Sequence, residues 1–200
     1  MRVNARRVPL PAQSMSKRIL FAASTVVTTC VMLVVLYVQR PGPRRLEPVL
    51  LSESGSVHMS PQISLRDVGY LRQYGIHTIV DMRPDGEASN QPSHLQVEQF
   101  AKAAGLSFSY IPVPHESIPP ATVNELGNVL ASAPKPVVLY CRTGRRAVRT
   151  FALFEASRHG GPTADTILTM VENAGFSAAD LRPEIISRIA ARTIASEAKP

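Results

Sequence analysis

The chain has 200 residues, of which 44% are apolar and 18% charged, enough for one ordinary domain with a buried core plus an appendage and unlike the polar composition of a disordered chain. Its formal charge of +7 is unevenly placed: residues 1–46 hold eight Lys and Arg and no acid, whereas residues 47–200 hold fourteen basic and fifteen acidic residues. A body at −1 offers no basic face to a phosphate backbone, which excludes nucleic acid as the partner.

Residues 1–18 form a basic N-terminal segment. Residues 19–38, ILFAASTVVTTCVMLVVLYV, then run twenty positions without a charge, about the length a helix needs to cross the hydrocarbon core. A cleaved secretory signal would have a shorter apolar region ending in a small-residue site, whereas YVQRPGPRR follows here. The expected element is one transmembrane helix. Arg2, Arg6, Arg7, Lys17 and Arg18 precede it, and Arg40, Arg44 and Arg45 follow. The positive-inside rule therefore points to a cytoplasmic N-terminus, making this a single-pass membrane protein whose body lies outside the cytoplasm, in a bacterium the periplasm. Cys30 falls in the span and Cys141 in the body, so the domain has no disulfide framework. Residues 39–56, with prolines, glycines and serines and no periodicity, read as a linker, and a single domain is expected over 57–195.

Within the body, Ser64 followed by Asp67 resembles a capping box, and Leu65, Val68 and Leu71 fall at helical spacing before a stop at Gly75. HTIVDM reads as a strand. Ser93 with Gln96 opens a second helix through Val97, Phe100 and Ala104, closed by Gly105, and LSFSYIPV reads as the next strand. A third helix is predicted from about Ala121 to Ala133. PVVLY, apolar without alternation, reads as a strand buried on both faces, the mark of a parallel sheet interior. A helix beginning near Arg145 or Arg146 follows, with two more around Thr163 to Asn173 and Pro183 to Thr193. The β-α-β-α order predicts an α/β fold, a parallel-type sheet flanked by helices.

In such sheets ligands sit beyond the carboxyl ends of the strands, and three segments occupy those ends: DMRPDGE, PHES and CRTGRR. In the last, Cys141 ends a strand, Thr143-Gly144 turns, and Arg142, Arg145, Arg146 and Arg149 crowd around. Like charges this close repel unless something anionic sits among them, and a thiolate meets that need. Backbone N–H groups and the positive end of a helix dipole would favour ionisation of Cys141 and binding of an oxyanion. Arg142, Thr143, Gly144 and Arg145 complete this cradle and are expected to bind the substrate, a small anion. No metal-ligand cluster or cofactor motif accompanies it, so neither is expected.

CRTGRRA, with MRPDGEASNQPS upstream and SVHMSPQIS at the start, resembles the phosphatase-like domain of the beta-lactamase-hydrolase-like (Blh) proteins, whose fold is that of the tyrosine and dual-specificity phosphatases. The resemblance covers about Val57 to Ser157. It implies that Cys141 is the nucleophile and Arg146 the anion-binding arginine, with Asp81, Arg83 and Asp85 shaping the pocket. Asp85 and Glu87 are expected to order the DGE turn.

Two departures bear on the reaction. The phosphatases resemble His-Cys-x5-Arg-Ser/Thr, whereas here Tyr140 precedes the cysteine, Arg146 is the fifth residue after it and Ala147 the sixth. The loop is one residue short, similar to the CRSGxR loops of rhodanese-type sulfurtransferases. The family's general-acid Asp is also missing from IPVPHESIPP, where His115 or Glu116 is left to donate a proton. Transfer of a sulfane sulfur needs no such acid for a leaving sulfite. The expectation is a membrane-anchored thiolate enzyme that passes sulfur through a Cys141 persulfide. The alternative is phosphoester hydrolysis through a phosphocysteine, and a non-catalytic anion-binding module stands third.

Overall fold

The computed structural model describes residue 32 and residues 48–52 and 56–197. The basic segment, the expected transmembrane helix apart from residue 32, and most of the linker lie outside these residues. Among the described residues no helix is long and apolar enough to cross a membrane. The chain divides into two units, Met1–Arg45 and Leu46–Pro200, and everything below concerns the second.

Five strands form its sheet: β1 Val49–Leu50, β2 Val57–Ser60, β3 Thr78–Asp81, β4 Ser107–Tyr110 and β5 Val137–Tyr140, in the order β1-β2-β5-β3-β4. β2, β5, β3 and β4 run parallel, as the unbroken apolar pattern of β3 and β5 predicts, and both of those strands are buried throughout. β1 lies antiparallel on the edge, so the sheet is mixed rather than purely parallel. The helices are α1 Leu65–Leu71, α2 His94–Ala103, α3 Pro120–Ser132, α4 Arg145–Ser157, α5 Ala164–Asn173 and α6 Arg182–Glu197.

Alternation along the strands decides which helices cover which face. Val80, Met82, Leu139 and Cys141 point into a cluster with Val123 and Leu126 of α3, Val148 and Phe151 of α4, Ile167 of α5 and Ile185 of α6. Ile79, Val138 and Tyr140 point the other way, onto Val68 and Leu71 of α1 and Val97 and Ala101 of α2. Each large side chain buried in these layers is worth about 1.5–3 kcal/mol relative to solvent. The cysteine thus hangs from the most buried strand onto the side packed by α4.

The predicted helix starts hold. Ser64 accepts the Asp67 N–H while Asp67 accepts the Ser64 N–H, and Ser93 and Gln96 repeat the pattern. The strand predicted over LSFSYIPV is shorter because Pro112 and Pro114 have no N–H to give to the ladder. Only alternate residues there still bond: Ile111 N–H donates to Asp81 O at 2.8 Å and Val113 N–H to Met82 O at 3.1 Å. The linker boundary at residue 56 is corrected: Val49 and Leu50 pair with Met59 and His58, and Leu51 is buried in the core. Two strand residues between Pro48 and a serine-rich turn are too few for a periodic signal.

Candidate active site

Cys141 leaves β5 directly into a turn that starts α4. The residue is 1% exposed, and its sulfur accepts the Gly144 N–H at 3.2 Å. Gly144 has φ 93°, and a Cβ at that position would run into the Met59 thioether of β2, so both backbone and space demand glycine. The Arg142 carbonyl accepts the Gln62 N–H at 3.2 Å, which pins the turn to the segment after β2. The Gly144 N–H at the start of α4 therefore meets a thiol whose turn is pinned from two strands.

Arg146 sits on the first turn of α4 with its side chain 10% exposed, facing Glu87 at 14%. Its Nη1 donates to Glu87 Oε1 at 2.6 Å and to the Val113 carbonyl at 2.7 Å, and its Nη2 donates to Glu87 Oε2 at 2.7 Å. Glu87 also accepts from Arg83 Nε at 2.9 Å, and Arg83 Nη1 donates to Gln62 Oε1 at 2.6 Å. The bonds from Arg146 pull the Glu87 carboxyl down to about 2, against its burial, with Arg83 helping. Burial works against the charge of Arg146, but Glu87 and Cys141 hold its pKa above the ordinary value. His115 Nε2 lies 3.5 Å from Glu87 Oε1 on the loop after β4, with 61% of its side chain exposed.

The three strand-end segments therefore meet: Glu87 and Arg83 from the first, Val113 and His115 from the second, Cys141 and Arg146 from the third. Other expected site residues stand elsewhere. Asp81, the register partner of Tyr140, lies on the α1 and α2 face of the sheet, away from the cysteine's face. Burial pushes its carboxyl up to about 6, and its Oδ1 accepts the Arg83 N–H at 2.9 Å, which fixes the backbone of Arg83. The Tyr140 hydroxyl lies beside Asp81, and its interaction with the carboxylate works against that rise.

Asp85 is not in the cradle either. It accepts the His94 N–H at 2.9 Å and pairs with His94 Nδ1 at 2.6 Å, while the His94 ring stacks on Tyr110 with centroids 4.1 Å apart. It orders the DGE turn against α2, as its position in that turn predicts. Glu116 is exposed and joins no ion pair among the described residues, whereas His115 approaches Glu87. Arg142, Thr143 and Arg145 are exposed around the rim.

The crowding of arginines has a different resolution from the one expected. Arg146 is neutralised by Glu87, and Arg149, buried on the next turn, pairs with Asp180 and donates to the Ser177 carbonyl at 2.9 Å. Only Arg146 of these two faces the thiol. Glu87, Gln62 and the Val113 carbonyl were not readable as site groups. The available signal was an acid two residues after Asp85, in a segment that must meet the arginines of CRTGRR. A cavity of about 860 Å³, lined by Leu51, Val57, Leu130, Phe154 and Met170, lies near the amino ends of β2 and β5, at the far end of the sheet from this chemistry.

Comparison with known proteins follows the same lines. A beta-lactamase hydrolase-like protein of Agrobacterium fabrum is 32% identical over 111 residues, covering 56% of this chain and 25% of that protein. One from Xylella fastidiosa is 35% identical over 81 residues, covering 40% and 19%. The chain thus spans about a quarter or less of the length of these relatives. A Neisseria meningitidis protein designated a phosphatase superposes with a TM-score of 0.61 at 30% identity, covering 72% of this chain and 97% of that one. Pseudomonas aeruginosa TpbA in complex with phosphotyrosine shares the fold, with a TM-score of 0.50 at 16% identity over 74% and 90% of the two chains. The family model described as the beta-lactamase hydrolase-like protein, phosphatase-like domain, matches residues 50–158, more than half of the sequence, and the chain belongs to that family.

Proposed function

We propose that the chain is a cysteine-dependent hydrolase of small anionic phosphoesters, acting through a phosphocysteine on Cys141. The observation that carries this reading is the seat, where the sulfur accepts a backbone N–H at the start of α4 with the Arg146 guanidinium buried beside it. The thiolate attacks phosphorus, the bond to the leaving oxygen breaks, and His115 gives that oxygen a proton. Water then attacks the same phosphorus, the S–P bond breaks, the thiolate re-forms, and His115 takes back the proton. Two comparisons support the choice: the relative at 30% identity is designated a phosphatase, and TpbA holds phosphotyrosine on the same fold.

Sulfur transfer is the second reading, favoured by one observation: Arg146 is the fifth residue after Cys141, which makes a tighter turn than the phosphatase pattern. There the thiolate takes the outer sulfur of thiosulfate, sulfite leaves, and the persulfide passes that sulfur to cyanide as thiocyanate, restoring the thiolate. One purified sample offered an aryl phosphate, and separately thiosulfate with cyanide, decides between the two. Phosphate release lost in His115→Ala, with a phosphoryl adduct on Cys141 by intact mass, is expected. Thiocyanate formation with one added sulfur on Cys141 would promote the second reading, and neither product would remove both.

The membrane anchor is also a proposal, supported by the uncharged residues 19–38 and the flanking charges. The full chain should require detergent, and a C-terminal reporter that works only outside the cytoplasm should be active. Recovery of the unprocessed chain in the soluble fraction would overturn the anchor, and a silent reporter would reverse its orientation.

A further inference from the structure

The reaction above uses Arg146 but not the carboxylate that holds it. We propose that Glu87 is the positioning residue of the anion seat: by occupying the end of the Arg146 guanidinium it turns the remaining edge of that planar fork toward Cys141. The inference rests on the reading of Cys141 as the nucleophile and adds the group that aims its anion partner.

A guanidinium has five N–H bonds in a fixed plane. In Arg146 both Nη1 hydrogens are committed, one to Glu87 Oε1 and one to the Val113 carbonyl, and one Nη2 hydrogen goes to Glu87 Oε2. The Nε–H and the second Nη2–H remain, and they share one edge, the pair that clasps a carboxylate or phosphoryl group side-on. Cys141 lies near enough to that guanidinium to stabilise its charge.

Glu87 is itself held at a fixed depth. Its Oε2 accepts Arg83 Nε, Arg83 Nη1 is taken by Gln62 Oε1, and the Gln62 N–H returns to the Arg142 carbonyl of the cysteine turn. The circuit runs from the cradle backbone through three side chains to the arginine of the same cradle. A negative charge is needed at its centre because two buried guanidiniums face each other across it.

Glu87→Gln separates aiming from simple charge, because the two act on the thiol with opposite sign. Removing a negative charge near Cys141 by itself makes the thiol more acidic; releasing Arg146 from its aim makes it less so. The alkylation rate of Cys141 against pH, measured on the full chain, should show its midpoint raised by about one unit or more in Glu87→Gln. Glu87→Asp keeps the charge but shortens the reach, so the same direction is expected there, whereas a pure charge effect leaves Glu87→Asp unchanged. If Glu87→Gln lacks a cooperative melt, Glu87→Asp decides alone, a raised midpoint supporting the inference and an unchanged one overturning it. A low wild-type midpoint that Glu87→Gln lowers or leaves in place overturns this inference only. An ordinary wild-type midpoint, near the roughly 8.5 of a free cysteine, overturns the proposed function and this inference with it.

Discussion

Cys141→Ser is expected to abolish turnover while leaving the fold and the anion site intact. The substitution exchanges a thiol for a hydroxyl of similar shape at a position whose sulfur accepts the Gly144 N–H, a bond that a hydroxyl oxygen can also accept. A serine hydroxyl is barely ionised near neutrality, so it supplies almost no nucleophile. Losses on the order of 10³-fold or more accompany removal of a nucleophile that nothing replaces. Anion affinity should hold or rise, because the variant removes the negative thiolate that an incoming anion meets. The check is a turnover assay beside a titration with inorganic phosphate and a thermal melt. Residual activity within tenfold of the wild type would show that another residue carries the chemistry.

Much of the fold was legible because the sequence is locally consistent. Ser64 with Asp67 and Ser93 with Gln96 announce α1 and α2 by side-chain chemistry, and the uninterrupted VVLY announces a strand with no solvent face. β1 was not legible, since two residues carry no period and its pairing with β2 is tertiary. The end of β4 was overextended because apolar spacing continues through Ile111 and Val113 while the prolines beside them stop the ladder.

The site was legible along the chain and obscure across it. Cys141, Gly144 and Arg146 are neighbours in sequence, and their turn carries its own signature in glycine, charge and the strand before it. Glu87 and Arg146 are separated by 59 residues, and nothing local tells which of several acids reaches which arginine. Asp81 illustrates the complementary error: it stands one residue before the strand's exit, but the alternation of side chains sends it to the face opposite Cys141. The period of two, followed along β3 and β5 in their register, with Asp81 opposite Tyr140, places Asp81 and Cys141 on opposite faces. The arginine cluster divides for a related reason. Arg146 and Arg149, three apart on α4, share a helix face but meet acids from different segments, Glu87 and Asp180.

Arg146→Ala should cost both activity and acid-dependent stability, and the pH dependence of the second identifies its cause. Loss of a fixed donor at the developing charge is expected to lower kcat on the order of 10²–10³-fold. Arg146→Lys should restore little of it, because an ammonium cannot hold Glu87, the Val113 carbonyl and an anion edge in one plane. Breaking a buried pair by removing one partner costs about 3–5 kcal/mol, since Glu87 keeps its charge with Arg83 and the exposed His115 as its remaining partners. The sign with pH follows from Glu87, whose folded-state value is depressed from 4.5 to about 2, chiefly by its bonds to Arg146. A depressed carboxyl contributes stability that is present above its unfolded value and is lost as pH falls toward the folded one. The gap in melting temperature between wild type and Arg146→Ala should therefore be widest near neutrality and close as pH drops from about 4.5 toward 2. Thermal melts at stepped pH measure it directly. A gap that stays constant across that window would mean that Arg146 contributes through packing alone, and that its pairing with Glu87 does not hold the two strand-end loops together.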